Sequence, residues 1–343
     1  MSYTVKTLIF SFIIVMLTYL FVLSVDPYDK EGIDLWGVGS KAVTSAREMK
    51  FTHLDSGRNM YKAFILGSSR VLRMDPLIVE KYTGFKTYNY GVENANAEDL
   101  LAETMHIIDR QEPEMIVLFV DFYMMNGYIG ADRRLAQSRL SKYLNQKSLD
   151  ESEVSGVPYF HRSYLTLRSL KDSLDLFIFR NESRGDSVYL PNGRRIIEEP
   201  VEEPRLATEY FENQYKDFRK DGERLEMFGR IKSLCQQKGI KLIVGQTPMN
   251  TEHIKKVLAD PRLREMFITY KRELVRIFGG FHDFNNFSVS AYNEKKYWYD
   301  SVHPSENLTP LMINRMFDRE NEENPGFGIY VTAANLDEYL RQF

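Results

Sequence analysis

The longest feature in the pattern of apolar and polar positions is an uncharged run from Thr7 to Val25, TLIFSFIIVMLTYLFVLSV. Nineteen residues rising 1.5 Å each come close to the ~30 Å hydrocarbon core of a bilayer. The run predicts a transmembrane anchor within residues 1–25. Lys6 precedes it, and Asp26, Asp29 and Glu31 follow it. The positive-inside rule then places the N-terminus in the cytoplasm and the body of the chain outside, in a periplasm or on the outer face of the membrane. A cleaved signal peptide is the rival reading. The run is longer than a usual signal core, and no Ala-x-Ala-like site follows it. Residues 26–61 are mixed and polar, and read as a tether with room for one helix.

From residue 62 the pattern alternates between short apolar runs and helical spacing. Ala63–Leu66 reads as a strand. Asp75 with Pro76 reads as a helix cap followed by a proline in the first turn, and Gly84 marks the stop. Residues 85–90 read as a second strand ended by Gly91. Asn96 caps a helix over Ala97–Arg110, in which Leu100, Leu101, Thr104, Ile107 and Ile108 fall on one face. The run MIVLFV at 115–120 is apolar at every position, as in a strand buried on both faces. From about 128 to 221 the alternation lapses into Arg, Lys, Glu, Ser and Tyr, with a hairpin turn expected at Pro191-Asn192-Gly193. That is too long for an ordinary loop, and it reads as an insertion or lid. The core resumes with a helix near 222–238 stopped by Gly239, and a strand over 240–244. Helices are expected near 251–258 and 262–278, then a last strand over 281–284 and a helix near 309–319. Strands alternating with helices in this way predict an α/β fold, a doubly wound and mostly parallel sheet over residues 62–343. No internal repeat is present.

Composition narrows the chemistry. With 43% hydrophobic residues in 343, the chain can bury a sizeable core. A net charge of −3 and a pI near 6.1 give no reason to expect a nucleic-acid partner. The single cysteine, Cys235, cannot form an internal disulfide and reads as packing. No metal-ligand spacing, phosphate-binding loop or dinucleotide fingerprint occurs, so no metal or cofactor is expected.

Two short motifs carry a candidate reaction. Gly67-Ser68-Ser69-Arg70 ends the first predicted strand, and Asp300-Ser301-Val302-His303-Pro304 follows the last. In an open α/β sheet, sites gather at the C-terminal ends of the strands, so both motifs belong to one rim. Ser69 would supply a nucleophile, His303 its base and Asp300 the group that orients the imidazole. Backbone N–H groups at Ser69 and Gly91 would meet the oxyanion. Ser68 and Ser301 remain alternative nucleophiles, the first aimed elsewhere in the turn and the second without an oxyanion turn. Trp298, in the cluster Tyr297-Trp298-Tyr299, reads as core packing or as a sugar-stacking wall. Arg70 and Tyr123 are further candidate substrate contacts. The pairs Arg133-Arg134 and Arg194-Arg195 read as solvated charges, or as contacts to an anionic glycan or lipid head group.

Gly67-Ser68-Ser69, Asn89-Tyr90-Gly91 and Asp300-x-x-His303 together resemble the SGNH (GDSL-like) hydrolase superfamily over about residues 62–317. Within it the chain is most similar to the membrane-anchored, DltD-like and alginate O-acetylation-type branch, where the first block reads Gly-Ser-Ser. The resemblance implies a flavodoxin-like sheet with a long insertion and a Ser69–His303–Asp300 triad, with the oxyanion glycine at Gly91. It also implies esterase or O-acyltransferase activity on a cell-envelope glycan, beside a multi-pass membrane O-acyltransferase as partner. The alternative is a non-catalytic scaffold or binding protein on the same fold. One block departs from the family: where Gly-x-Asn-Asp is usual, the chain reads Val120-Asp121-Phe122-Tyr123-Met124-Met125-Asn126, with Tyr123 at the asparagine position. Asn126 or Asn94 would have to substitute as the oxyanion side chain.

Overall fold

The structure, a computed structural model, describes residues 2–27, 35–38, 46–57, 59–130, 132–136, 138–144, 166–179, 187–197, 207–285, 295–300, 302–317 and 326–343. In chain order the elements are α1 (Tyr3–Val25), α2 (Ala46–Asp55), β1 (Ala63–Leu66), α3 (Pro76–Thr83), β2 (Thr87–Asn89), α4 (Ala97–Arg110) and β3 (Met115–Phe119). Next come α5 (Arg133–Ala136), α6 (Leu167–Phe179), β4 (Ser187–Tyr189), β5 (Arg195–Ile197), α7 (Ala207–Tyr215), α8 (Gly222–Gln237) and β6 (Lys241–Gln246). The last are α9 (Thr251–Ala259), α10 (Pro261–Phe278), β7 (Gly280–Asp283), α11 (Thr309–Phe317), β8 (Ile329–Thr332) and α12 (Leu336–Leu340).

A mostly parallel sheet runs through the centre in the order β2-β1-β3-β6-β7-β8. The first five strands are parallel, with Ala63 opposite both Thr87 and Met115, Met115 opposite Lys241, and Gly245 opposite His282. β8 closes the edge antiparallel to β7. Alternate residues of β1 and β3 enter two apolar clusters. Phe64, Leu66, Ile116 and Leu118 meet side chains of α2, α4, α8 and α10, while Ala63, Ile65, Val117 and Phe119 meet those of α3 and α11. Covering both faces explains the unbroken apolar runs in these strands.

Local chemistry sets the helix ends. The Asp75 side chain accepts from the Leu77 N–H, Pro76 fills the first turn, and Gly84 ends α3 in the left-handed region. Asn96 and Asp99 form a reciprocal capping box on α4. The turn at Pro191-Asn192-Gly193 joins the antiparallel strands β4 and β5. Three expectations shift. The second strand is shorter than 85–90. The strand over 280–283 is not the last, because β8 follows it. The 26–61 stretch contains α2, which is built into the core: Arg47, Lys50, Phe51 and Leu54 are all buried. Arg47 pairs with Asp99 at 2.6 Å, both fully buried, and its Nη2 donates to the Glu93 carbonyl.

Candidate active site

The site is assembled where the parallel strands end. After β1 the chain turns at Gly67 into a single 3-10 turn, Ser69–Val71. The Ser68 hydroxyl points inward and donates to Asp121 Oδ2 at 2.7 Å. The next hydroxyl, that of Ser69, is half-exposed and lies 2.8 Å from His303 Nε2. On the other side of the ring, His303 Nδ1 lies 2.6 Å from Asp300 Oδ2. Ser69, His303 and Asp300 thus form one hydrogen-bonded series, and Ser68 is turned away from it. Ser301 lies outside the described residues.

The loop that brings Asp300 and His303 to Ser69 is closed by its own backbone. The Tyr299 N–H donates to the His303 carbonyl and the Ser305 N–H to the Tyr297 carbonyl, each at 2.9 Å. Asp300 Oδ1 accepts from the Val302 and His303 N–H groups at 2.8 Å. Burial works to raise the Asp300 carboxyl. The bond and charge of His303, with the two backbone amides, outweigh it and hold the group below the usual aspartate range. Arg73 braces the loop from outside, its guanidinium 3.6 Å from the centre of the Tyr299 ring. Burial depresses the Arg73 pKa.

The backbone donors divide. The Ser69 N–H, at the start of its 3-10 turn, has no partner among the described residues. The Gly91 N–H donates to Asn89 Oδ1 at 2.9 Å, so the expected second donor is engaged. Asn89 Nδ2 donates in turn to the Val71 and Met74 carbonyls, tying the end of β2 to the nucleophile turn. A Cβ at Gly91 would sit 2.4 Å from Val71 Cγ2, so only glycine fits this approach.

Of the two asparagines proposed for the departed block, Asn126 is committed elsewhere. The Asn126 side chain is fully buried, donating to the Gln214 carbonyl and accepting from the Tyr128 and Arg219 N–H groups. Asn94 is exposed in a left-handed turn. The expected substrate contacts are likewise committed elsewhere. Trp298 is 8% exposed and packs in the apolar cluster with Phe284 and Leu308. Tyr123 is buried, with its hydroxyl donating to the Ala95 carbonyl at 2.6 Å. Arg70 is buried against Asp121 and donates to Thr247 Oγ1 and Gln214 Oε1. Of the two basic pairs, Arg194 meets Asp75 and Glu306, and Arg195 meets Glu93.

Two supports of the site were not read from the sequence. Asp121, fully buried at the end of β3, gathers Ser68, Thr247 and Arg70 behind the nucleophile turn. A carboxylate directly after a doubly buried strand was the available signal. Lys50 is the other. Its Nζ donates to the carbonyls of Asn89, Gly91 and Gly193 at 2.8, 2.8 and 2.9 Å. Three carbonyls need three hydrogens, which an ammonium supplies at once. Burial pulls this group down to about 7, while Glu93 and Glu103 oppose the shift and Arg195 adds to it. The β4–β5 turn is seated here too: Gly193 has φ +79°, and a Cβ on it would lie 2.1 Å from the Asn89 carbonyl oxygen. A lone lysine in a polar stretch gave no sign of this.

No family model matches the chain, and no curated protein matches it.

Proposed function

We propose that this chain is a membrane-anchored, extracytoplasmic serine esterase or O-acyltransferase of the SGNH superfamily, in its DltD-like branch, acting on a cell-envelope glycan. The observation that carries the reading is the series Ser69 Oγ, His303 Nε2, His303 Nδ1 and Asp300 Oδ2, with links of 2.8 and 2.6 Å. Its position at the C-terminal ends of parallel strands supports the same reading. The strand order β2-β1-β3-β6-β7, all parallel, also supports it. The long stretch between β3 and β6, with its separate hairpin, agrees with the insertion of that branch.

In the proposed reaction Ser69 Oγ attacks the acyl carbonyl carbon while its proton passes to His303 Nε2. Asp300 holds the imidazolium and fixes the tautomer. The Ser69 N–H meets the oxyanion. The departing alkoxide takes the proton from Nε2, leaving an acyl-serine. Water or a sugar hydroxyl then attacks, giving its proton to Nε2, and as the bond to Ser69 Oγ breaks the serine takes that proton back, restoring the free hydroxyl and imidazole. Hydrolysis and transfer differ only in that acceptor. A multi-pass membrane acyltransferase is the partner that would bring the acyl group across the bilayer.

One observation favours a second reading, a non-catalytic scaffold on the same fold. The Gly91 N–H is already bonded to Asn89, and the Asn126 amide is buried on the Gln214 carbonyl. Hydrolysis of a small aryl acetate separates the two. Ser69→Ala, His303→Ala and the double variant should be about equally inactive, because triad losses are not additive. Wild-type activity retained in Ser69→Ala would remove the triad and leave the scaffold.

A further inference from the structure

The C-terminal end of α1 is not bare. α6 packs against its last turns: Val22 and Val25 are buried, and Leu176 closes on Val25 and Val38. The Phe177 ring meets Phe21 edge-on at 5.9 Å and Trp36 at 5.3 Å. Trp36 Nε1 donates to Ser24 Oγ at 2.8 Å, which clips residues 35–38 to the same end. The opposite face of α6 carries Leu167, Leu174 and Ile178, which are 88, 40 and 64% exposed. Their spacing places them on one stripe. Lys171 shares that stripe, and its stem is long enough to lie along apolar surface with the charge in water. Leu35 and Trp36 add large exposed apolar side chains beside it. A helix that buries one face in a soluble protein presents polar residues on the other. α6 instead presents leucine and isoleucine.

The anchor shows what covers this face. If Thr7–Val25 fills the hydrocarbon core, its last turns lie where acyl chains meet headgroups. Anything packed on Phe21, Val22 and Val25 lies at that depth as well. Tryptophan beside the end of a membrane span is the residue that favours this boundary. We propose that the outer face of α6, with Leu35 and Trp36, lies in the headgroup–acyl boundary of the bilayer as an in-plane amphipathic helix. The inference rests on the membrane-anchored reading given above. It adds that the domain is held against the lipid surface at two points, so the site stands at a fixed height above the membrane. The occupant is lipid.

The test uses the full chain in lipid-only vesicles. Single substitutions Leu174→Cys and Ile178→Cys, with Ser233→Cys on the exposed surface of α8 as control, are labelled with an environment-sensitive fluorophore. Cys235 does not compete, since it is buried and burial pushes its thiol up to about 12. The labels on α6 should show blue-shifted emission and lose most of it to a lipid spin-labelled near the headgroup, while aqueous iodide leaves them untouched. The label at Ser233 should behave in the opposite way. Alkaline extraction of the same vesicles reads the anchor separately. A chain that stays in the membrane but leaves the α6 labels open to iodide overturns this inference alone, and the face then belongs to a protein partner. A chain that alkali releases overturns the anchor and the inference together.

Discussion

His303 stands between a hydroxyl and a carboxylate, and the carboxylate carries the more informative electrostatics. Asp300 is depressed because one oxygen faces the imidazole and the other accepts two backbone N–H groups. Its folded value lies below that of an unfolded aspartate, ~3.9. The stabilisation it contributes is therefore fully present above about pH 4 and is lost as the pH falls through the lower folded value. Asp300→Asn removes the titration but keeps the shape. The gap in unfolding free energy between wild type and Asp300→Asn should hold steady above about pH 4 and shrink as the pH falls below it, as read from urea titrations at each pH. A gap that does not change with pH would mean that Asp300 is not the ionised partner of the imidazole.

At the scale of elements, α2 does more than connect. Phe51 is buried and stacked on His106 with ring centres 4.1 Å apart, while Arg47 and Lys50 from the same helix reach Asp99 and the loop after β2. Phe51→Ala should cost about 3–5 kcal/mol, the range for a buried phenylalanine. A chain that starts at Asp26 should unfold cooperatively, whereas one that starts at Lys62 should not. Thermal unfolding followed by circular dichroism checks both. Equal cooperativity in the two chains would return α2 to the role of a tether. The same element marks where sequence reading stops. The ends of α3 and α4 were legible because a cap is written within four residues, as in Asp75-Pro76 with Gly84 and in Asn96 with Asp99. The burial of Arg47 and Lys50 was not, because their partners lie dozens of residues away and charged side chains read as solvated. β8 escaped for a related reason: its four residues gain stability from pairing with β7, which no local pattern announces. Asp300-x-x-His303 and Ser69 were legible as a candidate site because strand order places their loops on one rim. The commitment of Gly91, Asn126 and Trp298 to other partners depended on side-chain packing.

On the scale of the whole molecule, the account joins an apolar N-terminal helix to a mostly parallel α/β domain that carries the Ser69–His303–Asp300 hydroxyl–imidazole–carboxylate series. α1 is long and apolar enough to span a membrane, and on the proposed anchored reading alkaline extraction should leave the full chain in the membrane fraction while a chain starting at Asp26 is released from it. Its recovery as a mature form starting near residue 25 would show a cleaved leader instead. The central claim is that Ser69 is a nucleophile activated by His303. The most direct measurement is reaction of the full chain with a fluorophosphonate, followed by mass-spectrometric mapping of the adduct. The account predicts a single adduct on Ser69, absent from His303→Ala. An unlabelled wild type, or an adduct on Ser68 with Ser69 unmodified, would contradict it.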